Sequence, residues 1–353
     1  MQAATAADGR EKVRVMVVDD SAIVRGLIVQ QLEADGGIVV AGRAGNGQAA
    51  LLELDRVDVD VVVLDLEMPV MDGLTALPLI LAKRPGVRVL IASTLSRRNA
   101  RVSLEALQLG ASDYVPKPDT GTLVGAEAFA RELVAKVHAL GRAPRPVAEV
   151  AAPAPRLVAP AAAHRPAVIA VGGSTGAPPV LMRLFEALRD GPSQPILVTQ
   201  HMPPTFTAML AEQLARAGGR PCAEGVDGEP VLPGRAYVAP GGFHMTVGRS
   251  GATPVIRLNQ DPPEHYCRPA VDPMLRSLAE VYGAGVLAVV VTGMGVDGAE
   301  GCRAVAAAGG RFAVQDEATS VVWGMPGAAA RTGAASAVLP PPALAGWIRE
   351  AAR

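Results

Sequence analysis

VLAVVVTGMGVDGAEG, residues 286–301, joins an apolar, β-branched run to a glycine-rich turn. Inside it, Gly293-Met-Gly295-Val-Asp-Gly298 spells G-x-G-x-x-G, the spacing of a dinucleotide-binding turn between a strand and a helix. Asp316 and Glu317 follow at about the 20-residue distance where a ribose-binding acid is sought. The rival possibility is that Asp297, within the turn, is itself the functional group. A carboxylate beside a pyrophosphate is repulsive, whereas a carboxylate that accepts an imidazole N–H fixes the tautomer of a base. Asp297 therefore argues for a nucleophile–base–acid arrangement and against a nucleotide cofactor.

Similar strand ends surround this one. AVIAVGGS (167–174), PILVTQHMP (195–203), RAYVAPG (235–241) and GRFAVQDE (310–317) are short apolar runs closed by polar or small residues. PVLMRLFEALRD (179–190), FTAMLAEQLARAG (206–218) and DPMLRSLAEVYG (272–283) have helical spacing between them, while HMTVGRSGATPVIRLN (244–259) reads as a hairpin. Strands that alternate with helices imply a doubly wound, mostly parallel α/β sheet with a local antiparallel piece. Ligands of such sheets bind outside the carboxyl ends of the strands.

Ser174 stands at one of these ends, flanked by Gly172, Gly173 and Gly176, which let the chain turn sharply and expose a hydroxyl. A serine is a weak nucleophile without a base. Among the histidines, His138 falls on a closing helix and His164 in a linker, and both are expected to be solvated. His244 and His265 fall in and after the hairpin, and His201 directly follows a strand. Ser174, His201 and Asp297 thus end strands of one sheet. Gly172–Gly176 also satisfies G-x-S-x-G, but α/β-hydrolases run serine, acid, histidine along the chain. The order here is serine, histidine, acid. Geometry rather than chain order defines a triad, so the triad survives and a standard α/β-hydrolase is disfavoured.

Upstream, residues 141–166 (GRAPRPVAEVAAPAPRLVAPAAAHRP) are dominated by alanine and proline and lose all apolar periodicity, as a semi-rigid interdomain linker does. Before it the alternation recurs. VRVMVVDD (13–20), GIVVAGRAG (37–45), VDVVVLDLEMP (59–69), RVLIAST (88–94) and the strand in ASDYVPKP (111–118) alternate with helical AIVRGLIVQQLEA (22–34), GQAALLELDR (47–56), SLEALQLGA (103–111) and AEAFARELVAKVHAL (126–140). Asp19, Asp20 and Asp65 end strands that share one edge. Three converging carboxylates are costly to bury without a cation, and hard oxygen ligands suit Mg²⁺. Ser93, Thr94 and Lys117 end the neighbouring strands, where a hydroxyl and an ammonium could hold phosphoryl oxygens.

VMVVDDS, VVVLDLEMPVMDGL and DYVPKP resemble the signature of two-component receiver domains over about residues 11–140, a flavodoxin-like fold with a parallel five-stranded sheet. That resemblance implies that Asp65 accepts phosphate from a CheA-type histidine kinase, and that Asp19, Asp20, Asp65 and the backbone of Glu67 hold Mg²⁺. It also implies that Ser93, or Thr94 one position on, is the switch hydroxyl, that Lys117 contacts the phosphoryl group and that Tyr114 is the switch aromatic. The Lys117–Pro118 peptide is expected to be cis. The second half is similar to the catalytic domain of chemotaxis protein-glutamate methylesterases, the CheB family, through GGSTGAP, QHMPPTFT, YVAPGGFHM, RPAVD, TGMGVDGAEG and QDEATSVVWGMPGAA. One departure is Cys267 before RPAVD, where relatives often carry histidine.

The combined resemblance implies a tail over 1–10, a receiver over 11–140, the linker over 141–166 and a methylesterase domain over 167–353. The implied substrates are γ-methyl glutamates on chemoreceptor cytoplasmic domains, with glutamine deamidation as a second activity. The receiver is expected to cover the esterase cleft until Asp65 is phosphorylated. Ser174 is then the nucleophile, His201 the base and Asp297 its orienter, with amides near Thr175 and Met294 as oxyanion donors and no cofactor in the esterase half.

Totals over the 353 residues agree. Half are hydrophobic, enough for sizeable cores, and a net charge of −1 gives no field for nucleic acid or anionic membrane. Aromatics at 3% argue against base-stacking platforms. Cys222, Cys267 and Cys302 form no C-x-x-C pair. No signal-peptide layout or membrane-length apolar run occurs, so membrane insertion is not expected and a cytoplasmic location is.

Overall fold

The structure is a computed structural model that describes residues 12–94, 96–117, 123–142, 156–157 and 164–353. The expected tail over 1–10, most of the 141–166 linker and the Lys117–Pro118 peptide lie outside the described residues. The chain divides into two compact units, Met1–Ala148 and Glu149–Arg353.

The first unit runs β1 (Val13–Val18), α1 (Ala22–Glu33), β2 (Ile38–Ala44), α2 (Gly47–Glu53), β3 (Val61–Asp65), α3 (Gly73–Lys83), β4 (Arg88–Ser93), α4 (Arg97–Gln108), β5 (Asp113–Pro116) and α5 (Leu123–Gly141). The strands form one parallel sheet in the order β2-β1-β3-β4-β5. Every residue of β3 (VVVLD) is buried, as the middle strand of a sheet covered on both faces requires. Each fully buried Val or Leu contributes roughly 1.5–3 kcal/mol. Ser21, Asn46, Asp72 and Ser96 cap α1, α2, α3 and α4 by accepting from backbone amides of the first turn. Gly73 opens α3 because a Cβ there would collide with the Asp65 carbonyl.

The second unit contains β6 (Arg156–Leu157), β7 (Val168–Gly173), α6 (Ala177–Ala187), β8 (Ile196–Gln200), α7 (Pro204–Gly218), β9 (Cys222–Glu224), β10 (Ala236–Val238), β11 (His244–Ser250), β12 (Thr253–Asn259), α8 (Val271–Tyr282), β13 (Val286–Val290), α9 (Ala299–Ala307), β14 (Arg311–Gln315), α10 (Met325–Ala330), β15 (Ala337–Leu339) and α11 (Pro341–Ala351). Eight strands form one sheet in the order β6-β15-β14-β13-β7-β8-β10-β9, parallel except where β6 pairs antiparallel with β15. From β7 the chain builds outward through β8, then returns to place β13 on the other side of β7. The strand order therefore reverses at β7/β13, where a doubly wound sheet opens a crevice. The hairpin β11–β12 is the expected one, with Ser250 opposite Thr253.

Several sequence expectations need correction. Arg156–Leu157 lies inside the interval read as an irregular linker, yet it adds an edge strand to the second sheet. Two residues are too few for any period to register. The short strands β9 and β15 escaped notice for the same reason. His138, expected to be solvated, is mostly buried, and its Nε2 lies 2.8 Å from Asp35 Oδ1. That partner comes from the end of α1, 103 residues away, and nothing local announces it. Among the described residues no helix is long and apolar enough to cross a membrane.

Candidate functional site

The first unit gathers its acids at the carboxyl ends of β1 and β3. Asp19 is buried, Asp65 is nearly so, and Asp20 is exposed. Oxygens of the three lie within 4.8 Å of one another. Lys117 Nζ bridges Asp19 Oδ2 at 2.7 Å and Asp65 Oδ2 at 2.8 Å. The other oxygens of these two acids accept backbone amides, Ser21 N at 2.9 Å and Leu66 N at 2.8 Å. One ammonium against three carboxylates leaves negative charge in excess, the donor set and charge that a hard divalent cation fits. The electrostatics of Asp65 follow. Burial raises its carboxyl, Lys117 lowers it and the Asp19 charge raises it, with a net upward shift.

The strand-end hydroxyls separate. Ser93 is buried at the end of β4, whereas Thr94 is exposed and its hydroxyl accepts from Asn99 Nδ2. Lys117 N donates to Ser93 O at 2.7 Å, which fixes the lysine beside that strand end. Tyr114 is buried, with the Lys136 ammonium 5.1 Å from its ring centroid. Glu67 is exposed, its side chain turned to Asn99 and Arg98.

The second unit brings Ser174, His201 and Asp297 beyond the ends of three adjacent strands, β7, β8 and β13 respectively. Register pairs Gly173 with Gln200, so Ser174 and His201 follow side by side, and His201 N donates to Gly173 O at 3.2 Å. Asp297 lies seven residues beyond Val290, the last residue of β13. The loop nevertheless returns it to the imidazole, and His201 Nε2 meets Asp297 Oδ2 at 2.7 Å. No hydrogen bond among the described residues engages the Ser174 hydroxyl.

The glycine motif now has a physical account. Gly295 and Gly298 both have φ near 88°, in the left-handed region. A Cβ on Gly293 would stand 2.9 Å from Ser174 Cβ and collide with the Met325 sulfur. These glycines bring the turn onto Ser174 and direct Asp297 inward. Asp297 Oδ2 accepts Val271 N at 2.6 Å, and Oδ1 accepts Asp272 N at 2.9 Å and Gly298 N at 2.8 Å. The carboxylate thus caps α8 from another loop. Asp272, in the first turn of α8, returns the favour to α9 by accepting Gly301 N at 2.6 Å, and its Oδ2 meets His265 Nε2 at 3.0 Å. This reciprocal capping locks α8 to α9 and holds Asp297 rigid.

Burial alone raises Asp297, but His201 and the α8 amides outweigh it and bring the carboxyl down to about 2. Burial lowers His201, yet the bond to Asp297, with Cys267 beside the ring, pushes the imidazole up to about 10. Asp272 moves the other way. Burial and the Asp297 charge push it up to about 6, against the Gly301 amide and His265. No role was read for Asp272 or His265 from sequence, although Asp272 stands inside the RPAVD motif. Its aspartate offers a helix-capping signal, but only the fold shows which helix it caps.

Thr175 is buried and Met294 half-buried. Among the described residues neither backbone N–H has an acceptor, whereas Ser174 N is committed to Thr292 O at 3.1 Å. The turn after Ser174 and the turn after Gly293 thus present two free amides beside the serine.

Comparison with known proteins agrees with this layout. A CheB methylesterase family model matches residues 169–348, and a response regulator receiver domain model matches 15–126. A protein-glutamate methylesterase/protein-glutamine glutaminase 1 from Paramagnetospirillum magneticum is 50% identical over 368 residues, covering 97% of each chain. A protein-glutamate methylesterase/protein-glutamine glutaminase from Azospirillum brasilense is 50% identical over 374 residues, covering 98% of this chain and 94% of its own. The crystal structure of the Thermotoga maritima CheB methylesterase catalytic domain superposes with a TM-score of 0.51 at 36% identity, covering 53% of this chain and 99% of that one. With both halves matched in order and near-complete coverage at this identity, the chain belongs to the CheB methylesterase family and carries a response regulator receiver domain ahead of its esterase domain.

Proposed function

We propose that the chain is a protein-glutamate methylesterase whose activity is raised by phosphorylation of Asp65. The carrying observation is the His201–Asp297 bond at 2.7 Å beside Ser174 at a strand crossover. With Nε2–H committed to Asp297, Nδ1 is the nitrogen left to accept a proton. Ser174 Oγ attacks the γ-methyl ester carbonyl as His201 takes its proton, and Asp297 stabilises the imidazolium. Thr175 N–H and Met294 N–H donate to the oxyanion. His201 returns the proton to the leaving methoxide, methanol departs, and His201 then activates water against the acyl-serine. A glutamine side-chain amide passes through the same tetrahedral chemistry with ammonia as leaving group. Glutaminase activity is therefore part of the proposal, in keeping with the relatives' names.

In the receiver, Asp65 is the acceptor of a phosphoryl group. Asp19, Asp20, Asp65 and the Glu67 carbonyl would hold Mg²⁺, which when bound neutralises the charge of the incoming group. Lys117 and Ser93 would hold phosphoryl oxygens, Ser93 being favoured over Thr94 because Asn99 already engages the Thr94 hydroxyl. Tyr114 is the aromatic whose packing would report the change. The domain limits proposed remain 11–140 and 167–353. The partners are a histidine kinase of the chemotaxis type and methylated receptor cytoplasmic domains, which sets the place of action in the cytoplasm. Phosphorylation can raise activity only by stabilising an active state more than an inactive one.

The test is methanol release from methylated receptor cytoplasmic fragments by the full chain, with and without a small phosphodonor and Mg²⁺. Release should rise with phosphodonor, lose that rise on chelation of Mg²⁺ or in Asp65→Ala, and disappear in Ser174→Ala. Phosphorylation confirmed on Asp65 with no release under any condition would instead favour a phosphorylation-gated scaffold.

A further inference from the structure

The proposed oxyanion donors are main-chain amides, so their aim depends on whatever holds the peptide planes around Ser174. In a trans peptide the carbonyl and the N–H point in opposite directions. Fixing Ser174 O therefore fixes Thr175 N–H. Ser174 O accepts two hydrogen bonds, one from Ala177 N at 3.0 Å and one from Gln200 Nε2 at 2.9 Å. The Ala177 bond is internal to the turn and travels with it, whereas Gln200 is the last residue of β8 and ties the turn to a neighbouring strand.

A second tie comes from the other side. Thr292, just past β13 and fully buried, accepts Ser174 N through its carbonyl at 3.1 Å and donates its hydroxyl to Thr175 O at 2.9 Å. Thr292 is itself anchored, since its N–H donates to Gln315 Oε1 at 2.8 Å and its hydroxyl accepts Val322 N at 3.0 Å. Ser174 N, Ser174 O and Thr175 O are thus all held by strands flanking β7, and Thr175 N–H is left to face the site.

Gln200 bears a cost for its place. Its side-chain Oε1 is buried with no hydrogen-bond partner among the described residues, an arrangement that costs free energy. Flipping the amide would not help, because Oε1 would then face the carbonyl oxygens of Ser174 and His201 that Nε2 now approaches. A buried glutamine that keeps an orphaned acceptor in order to hold one carbonyl has a task at that carbonyl.

We propose that Gln200 and Thr292 are positioning residues for the oxyanion site, Gln200 holding the Ser174–Thr175 peptide itself and Thr292 the peptides on either side of it, so that Thr175 N–H meets the charge that develops on the ester oxygen. The inference rests on Ser174 acting as the acyl-transfer nucleophile. Neither residue touches the substrate. Their loss acts on the transition state, where the oxyanion forms, and leaves ground-state binding of the receptor segment intact.

The experiment measures kcat and KM for methanol release by the full chain, with thermal melts alongside. Removing one oxyanion donor outright costs about 10²–10³ in kcat, so loosening one should cost about tenfold or more with KM within about twofold. That is expected of Gln200→Leu and Thr292→Val, with Thr292→Ser restoring most of the rate. Gln200→Glu has wild-type size and keeps the comparison available if leucine unfolds the domain. Its ionised carboxylate repels the Ser174 carbonyl, while its protonated form donates to it. Activity relative to wild type at the same pH should therefore climb as pH falls, a signature that a purely structural role would not give. Near-wild-type kcat in Gln200→Leu and Thr292→Val, losses confined to KM, or a pH-independent ratio for Gln200→Glu would overturn the proposal. A wild-type chain that releases no methanol would overturn the esterase assignment and this inference together, whereas an active wild type with unaffected variants overturns the inference alone.

Discussion

The acid pocket of the receiver and the esterase site are built from the same material, carboxylates at the carboxyl ends of parallel strands, and are wired in opposite ways. In the receiver, three carboxylates converge, one lysine bridges two of them, and the shift on Asp65 is upward. In the esterase unit, Asp297 alone takes three backbone amides and an imidazole and is driven down to about 2. The first site is left short of positive charge and can be changed by a cation and a phosphoryl group. The second is already satisfied and is meant to stay still. The proposed switch and the proposed catalytic site differ in how completely their carboxylates are solvated by the protein.

The sharpest way to break the comparison is Asp297→Asn. Loss of the anion should favour the wrong imidazole tautomer and lower kcat by about 10⁴-fold with little change in fold, as the equivalent change does in serine proteases. Retention of more than a tenth of wild-type kcat would show that Asp297 does not orient His201.

Stability supplies a second contrast, in sign. A folded-state pKa below the unfolded value means that Asp297 contributes stability at pH above about 3.8, lost as pH falls toward about 2. Asp65, with its folded value raised, opposes folding once ionised, so its contribution is favourable at low pH and lost as pH rises through that value. At neutral pH, Asp65→Asn should therefore raise the melting temperature and Asp297→Asn should lower it. Shifts of the same sign in calorimetry would remove the distinction drawn between the two sites.

The smallest expected effect concerns His201. Because the imidazole is held at about 10, well above its ordinary value, the fraction able to act as base grows with pH, and kcat/KM should keep rising through and beyond neutrality. Cys267 is one cause of that rise, so Cys267→Ala should move the acid limb to lower pH with the triad intact. A limb at the ordinary value near 6.5 in wild type, unmoved in the variant, would contradict this.

Much of both sites was legible in the chain. Asp65 at the end of VVVLD, Ser174 after VIAVGG and His201 after PILVTQ each follow an apolar run whose length and β-branching mark a buried strand, and function gathers at strand ends in such sheets. The hairpin over 244–259 was equally plain. Two-residue β6 was not, nor were β9 and β15, because a period needs several residues to declare itself. Neither His138 nor His265 showed a partner in the sequence; the structure gives His138 Asp35, 103 residues away, and His265 Asp272, seven residues on across a turn.

The sequence by itself determined which residue types end which strands, the α/β architecture of each half and the presence of a carboxylate where a nucleotide turn would have none. Those are local properties, set by hydrophobic period and turn chemistry. Tertiary structure alone decided that Asp297 caps α8 while Asp272 caps α9, that Gln200 holds the carbonyl of Ser174 while Thr292 holds that of Thr175, and that Lys117 spans Asp19 and Asp65. Each of these bonds joins residues about 25 to 120 positions apart. Hydrogen bonds hold within a few tenths of an ångström, and no local pattern carries so long-range a distance; it exists only once the strands have paired in register.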